Sequence, residues 1–379
     1  MGVYIFVLVL CMFLGNTMQP NTSEKKRKNY LIIIFGILIL VSMLRDYSVG
    51  RDLYTHYYKN FAVLRNLDWS KCASTSYEVG YVIFNKVVGL FTDDGQWMIA
   101  MHALFVVGIS GWFIYKNSDD VVISTFLFIT SNTWFMYMTM MRQSIAVCIV
   151  LIASEIWKRK DWHIKRYILF LITIFLATSF HSSAAIFILI PVVDRLHFER
   201  KHIFLSVVAI GASYILYNYL FRIVSMLIGS RRDYADFYSE SGAAINLISI
   251  YGVLINVLIF IIACLVFVYY RKYSDNASEI SSVEGEYSNV AFILYMGLFY
   301  VICKVCGLRI NIMSRMTYYF GPFMWILFSN SLANMELSSN RKIVKYGVGT
   351  VMLIAFIWMG YKAGDSLFGV VPYKFFWEG

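Results

Sequence analysis

Arginines stand beside other reactive side chains in several widely separated segments of an otherwise apolar sequence. Residues 45–61 read RDYSVGRDLYTHYYKNF and supply Arg45, Asp46, Gly50, Arg51, Asp52, Tyr54 and His56; YEVGY follows with Glu78. MMRQSIA carries Arg142 and Gln143, SFHSSA carries His181, a later stretch carries Arg231, Arg232 and Asp233, and LRINIMSRMTYY carries Arg309 and Arg315. A guanidinium is permanently charged, and its planar fork grips a phosphate through two parallel hydrogen bonds. A histidine exchanges protons near neutral pH, so His181 can act as general base or acid. The serines after it, Ser182 and Ser183, are helix N-cap types, and a helix N-terminus favours anions. Glu78 or Asp52 can serve as base or hold an arginine in place; residue type does not choose between these roles. Gln143 and Tyr54 are supporting polar groups. His56 and His102 have weaker claims.

These residue types suit the binding of an anion such as a phosphate, with a titratable group available beside it. For any single arginine the alternative is an ion pair with its neighbour, as in Arg45–Asp46 or Arg51–Asp52, or contact with lipid headgroups. No HExxH, Asp-x-Asp, Walker loop or Gly-x-Ser-x-Gly element is present, so metal, nucleotide and serine-hydrolase chemistries lack support, and no cofactor is expected. Five of the six cysteines fall in apolar runs and Cys72 in a loop, which is no disulfide framework. The lone C-x-x-C of Cys303 and Cys306 reads as small packing residues.

The elements that must position these groups are membrane helices. Hydrophobic residues make up 59% of 379 positions, charged residues 15%, and mean hydropathy is +0.63. A soluble domain carries roughly a quarter charged residues. The fold class is all-α, a polytopic transmembrane helical bundle of about twelve spans. They are expected at 3–18, 30–44, 97–115, 121–139, 143–157, 165–180, 182–194, 203–221, 247–270, 289–307, 316–334 and 346–361. The apolar start has no basic n-region or cleavage site and reads as a retained first span. The net charge of +10 fits the cytoplasmic Lys/Arg bias of membrane proteins, and nucleic acid need not be invoked.

Basic clusters at 25–28, 158–166, 195–201, 271–272 and 341–345 are expected to be cytoplasmic. Parity then makes 79–92, which carries Asn85 and Lys86, a short interfacial or re-entrant helix on the outer face. Outer loops fall at 45–96 and 222–246, a polar cytoplasmic loop at 271–288, and both termini outside. With no linker or repeat, residues 1–379 read as one integral membrane domain. Nine arginines and six lysines fall outside or near it, against seven and eleven inside. The outer set thus leans toward arginine, which binding an anion explains and topology does not.

The ordered motifs V-G-R-D with Tyr54 (Val49–Asp52), E-x-G-Y (Glu78–Tyr81), M-R-Q-x-I-A (Met141–Ala146), F-H-x-S-A (Phe180–Ala184) and R-M-x-Y-Y (Arg315–Tyr319) resemble the EpsG family of Wzy-like bacterial exopolysaccharide polymerases. The resemblance spans nearly the whole chain, and the tail VVPYKFF is similar too. It implies a membrane glycosyltransferase of the bacterial cytoplasmic membrane with its active face outward. The growing glycan moves from its polyprenyl diphosphate onto an incoming lipid-linked repeat, without metal or nucleotide. The partners so implied are that lipid-linked substrate, the bilayer, and flippase and chain-length regulator proteins. Arg142, Arg309 and Arg315 are assigned to diphosphates, with Arg45 and Arg51 as second choices; His181 is the favoured base, with Asp52 and Glu78 as alternatives or orienters. A lipid-linked oligosaccharide transporter would want deep charges in several spans and repeated halves; only Lys304 is a deep cation, and no repeat is seen. A glycan ligase would share the outer-face chemistry.

Overall fold

The computed structural model describes residues 1–228, 247–274, 284–335, 338–362 and 368–378. Arg231, Arg232 and Asp233 lie outside the described residues, with the larger part of the loops expected at 222–246 and 271–288. Among the described residues every extended regular element is a helix. Chain contacts divide them into two compact units.

The first unit comprises Met1–Ser182 and Lys345–Gly379. It holds α1 (Gly2–Met18), α2 (Glu24–Met43), a π-helix (Leu53–Tyr58) running into α3 (Lys59–Arg65), α4 (Val79–Gly89), α5 (Gly95–Asn117), α6 (Val121–Thr130), α7 (Thr133–Thr139), α8 (Met141–Trp157) and α9 (His163–Phe180). The second unit, Ser183–Val344, opens on a 3-10 helix (Ser182–Leu189) and α10 (Ile190–Val193). It continues with α11 (Arg200–Ile215), α12 (Tyr217–Ile228), α13 (Leu247–Ser274), α14 (Glu284–Gly307) and α15 (Asn311–Ala333). The last helix, α16 (Ser338–Lys362), begins in the second unit and ends in the first.

Short polar side chains cap the N-termini of α2, α5 and α6. Ser23 accepts from the Lys26 N–H at α2, Asp94 from Gln96 N–H at α5, and Asp120 from the Val122 and Ile123 N–H groups at α6. α8 is apolar nearly all round and is buried along most of its length. α9 is the opposite case: Phe175 is 76% exposed, with Ile164 and Ile172 also open. Such surface is unfavourable in water and costs nothing against lipid tails.

Among the described residues five helical segments are long and apolar enough to cross a membrane: Gly95–Asn117, Lys160–Phe180, Ser249–Val266, Val290–Gly307 and Asn340–Tyr361. The number rises to seven if each bent pair is one span. The expected spans 121–139 and 203–221 are these pairs: α6 and α7 meet at 51°, α11 and α12 at 89°. Residues 182–193 form eight 3-10 residues and one α-turn, together only about 22 Å long against a ~30 Å hydrocarbon core. At 79–92 the chain forms the 11-residue α4, too short to cross. Its Asn85 and Lys86 are buried; the Lys86 ammonium donates to the Leu67 carbonyl and lies 4.5 Å over the Trp69 ring.

Loop 44–51 is tied down by the C-terminal tail. The N–H groups of Asp46, Gly50 and Arg51 donate to the carbonyls of Lys374, Gly369 and Phe368 at 2.9, 2.7 and 2.7 Å. Phe376 N–H returns a bond to Leu44, and Arg45 pairs antiparallel with Phe375. Gly50 has φ +129°, and a Cβ there would lie 2.6 Å from the Met138 carbonyl oxygen, so only glycine fits the V-G-R-D turn.

Arg45 is fully buried inside this arrangement. Its guanidinium donates to the Ser42 carbonyl at the end of α2 and to the Met138 carbonyl at the end of α7, the latter at 3.3 Å. It therefore caps two helix C-termini, where a cation complements the helix dipole. Burial pulls its pKa down to about 10, opposed by Tyr4 and Tyr373, so it stays charged at neutral pH.

Candidate active site

Glu78 is the N-cap of α4, with extended backbone and no cap hydrogen bond of its own. Its carboxylate is thereby free to reach sideways, and each oxygen takes a different partner. Oε1 lies 3.1 Å from His181 Nδ1, and Oε2 accepts from Arg142 Nη1. The side chains of Glu78, Arg142 and His181 are 23%, 27% and 27% exposed, half-buried but open on one side. Arg142 projects from the first turn of α8 and His181 is the C-cap of α9, so three elements distant in sequence meet at one carboxylate.

An ionised carboxylate only accepts, so in the neutral imidazole the His181 proton resides on Nδ1 and Nε2 carries the lone pair. Nε2 has no hydrogen-bond partner among the described residues. Burial raises the Glu78 carboxyl pKa; the His181 hydrogen bond and the Arg142 charge outweigh it and hold the group below its usual range.

The EpsG family model matches residues 28–375, nearly the whole chain and a span that contains the five ordered motifs. The chain belongs to the EpsG family. No curated protein and no solved structure matches it significantly. Family membership and the apolar helices together make it a multi-pass membrane protein.

The EpsG motif E-x-G-Y has a local physical account. Tyr77, just before it, lays its ring 5.3 Å from the Arg142 guanidinium carbon, and its hydroxyl donates to the His56 carbonyl at 2.7 Å. Gly80 lets α4 approach the end of α9: a Cβ there would meet the Ser179 carbonyl oxygen at 2.8 Å. Tyr81 is buried beneath, edge-on to Tyr57 at 5.5 Å. Tyr57, on the buried side of the π-helix, hydrogen-bonds Arg142. Leu53, Tyr57, Phe61, Tyr81, Met98 and Met141 form the apolar floor.

The other expected site residues fall elsewhere. In the M-R-Q motif Gln143 is buried, one residue round the helix from Arg142. Asp52 is the N-cap of the π-helix, and the exposed Tyr54 lies tilted against the Tyr47 ring at 5.3 Å. Arg51 is exposed, with its backbone on the tail. Arg45 is the buried helix cap described above. Arg309 and Arg315 belong to the second unit: Arg309 lies 5.4 and 5.0 Å from the rings of Tyr214 and Tyr217, which flank the 89° bend, and Arg315 is exposed in the first turns of α15. Sequence reasoning missed Tyr57 and Tyr77; the tyrosine-rich run and the residue before Glu78 were the available signals.

Because the folded state holds Glu78 below the ordinary carboxylate value of about 4.3, its contribution to stability is complete above that pH. It is lost as pH falls through the lowered value. Thermal unfolding in detergent should therefore show a larger fall in Tm between about pH 6 and pH 3 for wild type than for Glu78→Gln. Equal falls would count against this ion group.

Proposed function

We propose that this chain is a Wzy-like polysaccharide polymerase acting at the outer face of the bacterial cytoplasmic membrane. Membership of the EpsG family supports that reading at the level of the family. The observation that carries the chemistry is the Glu78 carboxylate bridging His181 Nδ1 and Arg142. It leaves Nε2 as a base of fixed tautomer and orientation, the arrangement in which a carboxylate orients a catalytic histidine.

In the proposed step His181 Nε2 takes the proton from an acceptor sugar hydroxyl. The hydroxyl oxygen forms the new bond to the donor's anomeric carbon. The bond from that carbon to the diphosphate oxygen breaks, and polyprenyl diphosphate leaves with the electron pair. Glu78 orients His181 and balances the imidazolium that forms. Arg142 holds Glu78 ionised and in place, so its main task differs from the diphosphate contact expected of it. Arg309 and Arg315 are assigned to the diphosphate, with Arg51 as a further cation; positioned guanidinium groups stabilise charge that grows on a leaving group. Arg45, with no exposed surface, is left out of this set. Asp52 and Gln143 are assigned supporting roles.

The test is polymer formation by the purified protein from lipid-linked repeats, comparing wild type with His181→Ala and with Arg309→Ala/Arg315→Ala. Full yield from the histidine variant defeats the base assignment, and full yield from the double variant defeats the diphosphate assignment. Gly80→Ala should lower the rate about ten- to a hundredfold at normal abundance, because the added methyl pushes α4, and Glu78 with it, away from His181. An unchanged rate in that variant would show that the close approach is not needed.

A further inference from the structure

The π-helix Leu53–Tyr58 has two working sides. Its buried side gives Tyr57 to Arg142. Its other side gives Tyr54 and Tyr58 to a row of three tyrosines completed by Tyr47. Tyr47 stacks on Tyr58 with ring centroids 4.9 Å apart and 28° between planes, and lies tilted against Tyr54 at 5.3 Å and 35°. Tyr58 anchors the row, lying so close to Gly95 that a Cβ there would touch its ring at 2.9 Å. Tyr47 and Tyr54 are 37% and 48% exposed. None of the three hydroxyls has a hydrogen-bond partner among the described residues. The row is held rigidly, because the loop bearing Tyr47 is bonded to the C-terminal tail.

We propose that this row is a carbohydrate platform that takes a pyranose ring of the repeat unit beside the Glu78–His181 pair. The inference rests on the polymerase reading for the identity of the sugar, and on geometry for the site. Aromatic faces accept the C–H face of a pyranose, while free phenol hydroxyls and nearby carboxylates bind its vicinal hydroxyls. Asp52 precedes the π-helix, and the exposed Asp94 precedes Gly95, against which Tyr58 lies. Those carboxylates accept hydrogen bonds from a polyol, with the exposed Arg51 alongside as the cation assigned to the diphosphate. The same six-residue helix feeds both the platform and Arg142, and the Tyr77 hydroxyl joins its His56 carbonyl to the residue next to Glu78. A π-helix at such a junction is a common mark of a functional site.

The experiment uses the full-length protein in nanodiscs. Initial rates with lipid-linked repeats should show KM for Tyr54→Ala raised about three- to tenfold, with kcat within about twofold, and Tyr54→Trp near wild type. Saturation-transfer NMR with the lipid-free oligosaccharide, released from the same lipid-linked repeat by mild acid, should show transfer in wild type and in His181→Ala and lose it in Tyr54→Ala. An unchanged KM, or unchanged transfer, in Tyr54→Ala overturns the platform; so does no transfer in wild type. Failure of Tyr54→Ala to insert in the membrane assigns the row to interface anchoring and overturns it as well. Full polymer yield from His181→Ala would instead defeat the catalytic reading while leaving the sugar transfer as the platform's own test.

Discussion

Replacing His181 with alanine should lower polymer formation by about two to four orders of magnitude, with the protein still folded and present in the membrane. The size follows from the role. A positioned base contributes this much, and here the imidazole is fixed at one ring nitrogen by the Glu78 carboxylate at 3.1 Å. The side chain is 27% exposed and belongs to no cluster of buried apolar residues described above, so loss of fold is not the expected cause. Glu78→Gln gives the companion result. The amide keeps the shape but carries no charge to balance an imidazolium, and its NH2 would face either His181 or the Arg142 guanidinium. Its rate should also fall steeply, and the two substitutions together should cost little more than the worse of them, because they disable one device. Additive losses would mean that the residues act separately.

Arg45→Ala should act on stability. Removing this buried side chain strips two helix-terminal carbonyls, those of Ser42 and Met138, of their donor and opens a void where the guanidinium lay. A loss of about 2–4 kcal/mol is expected. It should appear as a lowered Tm in detergent and as several-fold lower abundance in the membrane. Arg45→Lys keeps the charge at one carbonyl and should fall between. A variant that accumulates and melts normally but makes no polymer would return Arg45 to the phosphate-binding set.

Arg45 also shows where sequence reading stops. Arg45–Asp46 and Arg51–Asp52 are the same dipeptide six residues apart, yet one arginine is wholly buried and the other exposed. What separates them is the pair of helix ends that take the Arg45 guanidinium, at Ser42 and at Met138, the latter 93 residues along the chain. The helical class was legible in long apolar runs, and the identities of Glu78, Arg142 and His181 in their types and in the order of their motifs. Their mutual pairing was not, since the partners stand 64 and 103 residues apart and no periodicity links them. The bends near Asn132 and Leu216 were hidden because hydropathy is high on both sides of each break. The π-helix has no compositional signature, so Tyr57 looked like one tyrosine among several.

The strap formed by residues 368–376 has a consequence for biogenesis. A ribosome makes loop 44–51 more than 300 residues before its hydrogen-bond partners at 368–374. Throughout elongation that loop must rely on water or other transient partners, and the tyrosine row it supports cannot settle. A product terminated before residue 368 would thus lack the partners that order loop 44–51 and the tyrosine beside them.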